Sequence, residues 1–228
     1  MTTNSWPSYW PAGDAALGVE FGQTIDPAIN RQVPALARLL DHAPLPGVIE
    51  TVPTYRSLLI HYNPLRLSYQ EVLAWAQSKV AQAESLPPVQ PRRLEVPTVY
   101  GGEFGPDLDF VAEFHHLSPA EVIRLHSGAD YMVYMMGFMP GFPYLGGLPI
   151  ELETPRLDTP RTLVRAGSVG LAGNQTGVYP LASPGGWRLI GYTPLRLFNA
   201  EKDPPTLLNP GDQVRFVPIP PEALPDGA

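Results

Sequence analysis

The chain has 228 residues, 44% of them hydrophobic, a formal net charge of −7 and no cysteine. That length and apolar content suit one large domain or two small ones with packed cores. The missing cysteines exclude disulfides, thiolate metal sites, thiol nucleophiles and iron–sulfur clusters, and the acidic balance argues against nucleic-acid or anionic-membrane binding. No apolar run reaches the roughly eighteen residues of a membrane span, and MTTNSWPSYWPAGD has neither the basic start nor the apolar core of a signal peptide, so a cytoplasmic location is expected.

In chain order, ALGVEFG (16–22) reads as a strand. Asp26 and Pro27 form an N-cap and first helical residue, followed by Ile29, Val33, Leu36, Ala37 and Leu40 at helical spacing. Pro34 predicts that this helix is kinked or starts late. GVIETVP (47–53) and YRSLLIHYN (55–63) read as two strands, and a helix from about Ser68 carries Val72, Leu73, Ala76, Val80 and Ala83 on one face. The order β-α-β-β-α predicts two helices on one side of an antiparallel sheet. SLPPVQPRRLEVP (85–97), with four prolines, reads as a stiff connector, placing a small α+β domain over 1–88 and a second domain over 89–228. Asp107-Leu108-Asp109 opens a short helix, and Ser118-Pro119-Ala120-Glu121 is a capping box for another through Leu125. Beyond Asp130 come only short strand candidates, YMVYMMGF, SVGLAG, WRLIGYT and QVRFVPI, a pattern that suggests a closed barrel. The tail after Ile219 is expected to be disordered.

GFMPGFPYLGGLP (137–149) holds three prolines, four glycines and three aromatics. Its prolines exclude a helix and a central strand, which leaves a rigid loop presenting Phe138, Phe142 and Tyr144. Nucleophile patterns are weak: no histidine follows His126, and Ser168 and Ser183 read as turn serines. His115 and His116 are adjacent on an expected helix and point about 100° apart, so they cannot chelate one ion, and no metal is expected. His126 at a helix end either caps carbonyls or enters the barrel mouth as a group titrating near neutrality. Gly167, Gly170 and Gly173 lack the lysine and Ser/Thr of a phosphate loop and read as barrel bends. Arginines outnumber lysines, of which only Lys79 and Lys202 occur, a bias that reflects either genome composition or anion recognition. Arg156, Arg161, Arg165, Arg188 and Arg196 flank the Pro/Gly segments. They either converge with the aromatic loop and the SPGGW turn on one concave, cationic, ring-lined site for a small carboxylate or acyl phosphate, or are solvated or paired with Glu151, Glu153 and Asp158.

YGGEFGPDLDFVAEFHHLSPAEVIRLHSGADYMVYMMGFMPGFPYLGGLP, PRTLVRAGSVGLAGNQTGVYPLASPGGWRLIGYTPLRLF and NPGDQVRFVPI together resemble the 5-oxoprolinase B-subunit family, also described as allophanate hydrolase subunit 1 or the sporulation-kinase inhibitor family. The resemblance implies an α+β N-terminal domain and a mainly-β, cyclophilin-like barrel. It implies a component, inactive alone, that works with a homologous C-subunit and with an A-subunit to hydrolyse 5-oxo-L-proline to L-glutamate. ATP is used by the assembled complex, with no cofactor in this chain. Its motif positions fall on His126, Arg161, Ser168, Gln175, Ser183 and Arg188, accompanied by Phe142, Tyr144 and Trp187; with Arg165, Gly185 and Gly186 these form the candidate substrate-binding set, and no catalytic residue is assigned. Gly147 and Ala166 depart slightly from the family pattern. Alternatives are a module inhibiting a sensor histidine kinase, or a component of the allophanate hydrolase or urea carboxylase type, although neither Lys79 nor Lys202 has a biotinylation context.

Overall fold

The computed structural model describes residues 6–84 and 91–225, and the chain divides into two compact units, 1–90 and 91–228. In the first unit the strands are β1 (Ser8–Pro11), β2 (Ala16–Glu20), β3 (Val48–Pro53) and β4 (Ser57–Tyr62), and the helices are α1 (Pro27–His42) and α2 (Tyr69–Glu84). The sheet is antiparallel in the order β1-β2-β4-β3. Alternation along β4 buries Leu58, Ile60 and Tyr62 against Val33, Leu36, Leu40, Val72, Ala76 and Val80 of the helices. Asp26 caps α1, its side chain accepting from the Ala28 and Ile29 amides at 2.7 and 3.2 Å. The helix starts at Pro27, contrary to the expected late start, and continues through Pro34, which is buried on the same face as Val33 and Ala37. β1, between two prolines, escapes a reading of the sequence because it is an edge strand, where a missing donor costs no ladder bond.

The second unit contains β5 (Arg93–Tyr100), α3 (Leu108–Phe114), α4 (Pro119–Gly128), β6 (Tyr131–Met136), β7 (Pro143–Gly146), β8 (Arg161–Val164), β9 (Ser168–Ala172), β10 (Gln175–Val178), β11 (Ser183–Gly185), β12 (Arg188–Tyr192) and β13 (Gln213–Pro218). Seven strands close a mixed barrel in the order β10-β7-β6-β13-β5-β12-β9, and β8 with β11 makes a separate two-stranded ribbon. Tyr131, Val133, Leu145, Leu171, Ile190 and Phe216 fill the barrel core, joined by Val111 of α3 and Val122 of α4. Both halves of the predicted capping box form: the Ser118 amide donates to Glu121 Oε2 at 2.7 Å, and the Glu121 amide donates to Ser118 Oγ at 3.3 Å.

Three segments differ from expectation. Of the connector 85–97, residues 85–90 lie outside the described residues, whereas 93–97 belong to β5, paired in parallel with β13 from Arg93↔Gln213 to Thr98↔Pro218. Pro97 is tolerated because β12 pairs only with Val99 and Tyr100, so Pro97 has a ladder on one side only. The aromatic loop is a loop only to Phe142, since Pro143–Gly146 forms the central strand β7 between β6 and β10, with proline at its first position. The tail after Ile219 carries a 3-10 turn over Pro221–Ala223, and residues 226–228 lie outside the described residues.

Candidate functional site

Phe138 begins the site with a bulky side chain at φ 62°, a left-handed backbone that costs about 1–3 kcal/mol. Gly141 follows at φ 80°, and the bonds from the Gly137 amide to the Phe142 carbonyl and from the Phe142 amide to the Met139 carbonyl, both 3.1 Å, close the loop. Its geometry places the Phe138 ring edge-on to buried Phe142, which packs edge-on against Tyr179 and Trp187 at centroid distances of 5.4 Å. These rings, with Tyr144, Leu157, Pro160, Pro184, Gly185 and Gly186, line a hollow of 400 Å³. Arg156 supplies its cation, 5.9 Å from the Trp187 ring centre. Burial raises the pKa of the Tyr179 and Tyr144 phenols, keeping both as neutral hydrogen-bonding groups, although nearby Arg156 acts in the opposite direction. Gly185 is required where it stands, because a Cβ there would lie 2.3 Å from the Tyr179 hydroxyl oxygen.

A second hollow, of 220 Å³, is lined by Arg161, Arg165 and Ser168 together with Glu103, Leu189 and Tyr192 among others. Arg161 is fixed there by Asp107, which is 7% exposed: its Oδ1 accepts from the Arg161 guanidinium at 2.9 Å and its Oδ2 accepts the Leu189 amide at 2.6 Å. Arg165 stacks over Tyr192 at 4.2 Å.

The twelve candidate residues therefore do not share one site. Phe142, Tyr144, Gly185, Gly186 and Trp187 line the aromatic hollow, while Arg161, Arg165 and Ser168 line the second. The division follows the β8–β11 ribbon, in which Gly185 pairs with Arg161: β11 serves the first hollow and β8 the second. Neither hollow includes Gln175, on β10, or Ser183, whose hydroxyl donates to the Pro184 carbonyl at 3.1 Å. Arg188 also lies outside both, stacked 3.7 Å from the Phe110 ring centre, with its Nε donating to the Pro155 carbonyl at 3.3 Å. Among the described residues no arginine pairs with Glu151, Glu153 or Asp158.

His126 neither enters the barrel mouth nor titrates near neutrality. It is 0% exposed, 4.4 Å from the Phe216 ring centre, and burial lowers its pKa to about 3. Both ring nitrogens are occupied, Nδ1 by the Tyr100 hydroxyl at 2.7 Å and Nε2 by Thr176 Oγ1 at 2.9 Å. Thr176 spends its proton on the Gly170 carbonyl at 3.0 Å, so it accepts from His126 Nε2–H, and His126 Nδ1 accepts from Tyr100. Three strands and α4 are thereby tied by one directed chain. His115 closes α3 and His116 adopts φ 55°, so the pair is not on a helix as expected.

Sequence reasoning misses Asp107, Glu103, Pro160 and Tyr179 as site residues. Asp107 reads in the sequence only as a helix opener, and Tyr179 carries no pattern beyond its place in GVYP.

Residues 7–208 match the family described as "Carboxyltransferase domain, subdomain C and D", a match that reaches across both compact units. The chain is 45% identical to the 5-oxoprolinase B-subunit of Bacillus subtilis (strain 168) over 217 residues, 91% of this chain and 90% of the relative. It is 46% identical to the protein of the same description from Escherichia coli O157:H7 over 212 residues, 90% and 93% of the two chains. Among solved structures, TTHA0988 superposes with a TM-score of 0.81 at 39% identity, over 92% of this chain and 41% of that longer one. With identity of this extent along nearly its whole length, the chain belongs to the 5-oxoprolinase B-subunit family. No helix among the described residues is long and apolar enough to cross a membrane.

Proposed function

We propose that the chain is the B-subunit of an ATP-dependent 5-oxoprolinase, inactive alone, and that its aromatic hollow binds the cyclic amide substrate, 5-oxo-L-proline. The observation that carries the reading is the pairing of ring walls with a single cation. Phe142, Tyr144, Tyr179 and Trp187 offer faces for a flat five-membered lactam, and Arg156 offers a guanidinium fork for its carboxylate. A lactam resists attack near neutral pH, so activation by phosphoryl transfer to its oxygen would need ATP, placed in this reading on the partner A- and C-subunits. The barrel is taken to be of the cyclophilin-like kind.

Reconstitution tests this directly. The chain is mixed with purified A- and C-subunits, ATP and 5-oxo-L-proline, and glutamate is measured. Activity is expected only when all three proteins are present, and Arg156→Ala is expected to raise KM about tenfold or more, the loss of one charge-assisted contact. Glutamate formed equally well without this chain, or full activity in the Arg156→Ala complex, refutes the assignment.

A further inference from the structure

We propose that the smaller hollow is a separate site for a free α-amino acid, bound as its zwitterion. Arg161 contributes little free charge there, because Asp107 holds its guanidinium at 2.9 Å. Arg165 is different. It forms no ion pair among the described residues, and its guanidinium lies 4.2 Å over the Tyr192 ring. Stacking of this kind fixes the guanidinium plane and leaves its in-plane N–H groups open to a carboxylate. Ser168 is only 5% exposed and lines the same hollow, where its hydroxyl is a second polar group.

Glu103 is the remaining charge. It also lines the hollow and forms no ion pair among the described residues, not even with Arg165. A simple anion drawn to Arg165 would meet the Glu103 carboxylate, and a simple cation drawn to Glu103 would meet Arg165. A molecule carrying an ammonium and a carboxylate on one carbon satisfies both. Its carboxylate goes to Arg165 and the Ser168 hydroxyl, its ammonium to Glu103, and its side chain to the apolar wall of Phe104, Pro106 and Leu189. A volume of 220 Å³ is matched to a single amino acid. Gly167, at φ 88°, makes the turn that brings Arg165 and Ser168 together, and a Cβ there would lie 2.6 Å from the Tyr192 ring.

The site stands on its own geometry and does not depend on the role of the aromatic hollow. Its test is binding to the isolated full-length chain, by calorimetry and saturation-transfer NMR, with L-alanine, L-leucine and L-glutamate, each alongside its N-acetyl and primary-amide derivatives. At least one amino acid is expected to bind, with both of its derivatives weaker by roughly tenfold or more, as the loss of one charge-assisted contact requires. Arg165→Gln and Glu103→Gln alter exposed side chains and are expected to fold normally, checked by circular dichroism. Arg165→Gln should abolish binding of the amino acid, and Glu103→Gln should remove the preference over the N-acetyl form. Arg156→Ala, which alters only the aromatic hollow, should leave amino-acid binding at the smaller hollow as it was. No binding by any of the three amino acids, N-acetyl forms that bind as tightly as their parents, or loss of binding on Arg156→Ala alone overturns the proposal. Failure of the three-component reconstitution bears only on the aromatic hollow.

Discussion

Replacing His126 by phenylalanine should flatten the acid side of the stability curve. In the unfolded chain the imidazole titrates near 6.5, and in the barrel core its pKa falls to about 3. The unfolded state therefore takes up a proton that the folded state refuses wherever the pH lies between these values. Stability contributed by the neutral, buried ring is fully present above 6.5 and is lost progressively as the pH falls toward 3. Integrating that difference from about pH 7.5 to about pH 5 gives a loss of about 2 kcal/mol from this one group. His126→Phe cannot take up the proton, but it leaves the Tyr100 hydroxyl without its acceptor, which costs about 1–3 kcal/mol at every pH. Urea unfolding of both proteins at the two pH values separates these effects. The variant should be less stable at about pH 7.5, and the gap should shrink by about 2 kcal/mol at about pH 5. His115, whose pKa is also lowered by burial, is common to both proteins and cancels. A gap that stays constant or widens on acidification would show that His126 is not held neutral by burial, and the directed chain from Tyr100 to Gly170 would have to be redrawn.

A Cβ at Gly146 would sit 1.6 Å from the Tyr134 ring, so Gly146→Ala should cost about 3 kcal/mol and shift the urea midpoint; an unchanged midpoint would mean that the β6–β7 packing is wrong. Asp107→Ala strands the Leu189 amide and the Arg161 guanidinium together and should cost about 3 kcal/mol, less than a fully buried pair because Arg161 is 29% exposed. Its double-mutant cycle with Arg161→Ala should give a coupling of about 1 kcal/mol, and additive losses would refute the pairing. Phe138→Gly relieves the left-handed backbone and should leave stability unchanged or raise it by about 1 kcal/mol while weakening 5-oxo-L-proline binding; a large loss of stability would show that the Phe138–Phe142 contact outweighs the strain.

What the sequence discloses is governed by local chemistry. The Asp26 cap, the Ser118–Glu121 box and the apolar character of β4, β6, β9, β12 and β13 are set within a few residues and can be read directly. Strands β5 and β7 cannot, because Pro97 and Pro143 read as breakers, and only their neighbours in the closed barrel show that neither ring blocks a ladder bond. The candidate site divides for the same reason. The aromatic residues and arginines stand out as unusual, but their partition depends on the β8–β11 ribbon and on Asp107, fifty-four residues from Arg161. The expectation for His126 fails because a position at a helix end says nothing about the two strands that supply its partners.

The parallel seam between β5 and β13 carries a consequence for synthesis. Residue 93 meets residue 213, so the first barrel strand to leave the ribosome waits for the last before the wall can shut. Until then both open rims expose unpaired amides and carbonyls, an invitation to neighbouring nascent chains. Pro97 interrupts the β5 rim with a residue that donates nothing, so a proline that obscures the strand also makes that rim of the half-made barrel a poorer template for its copies.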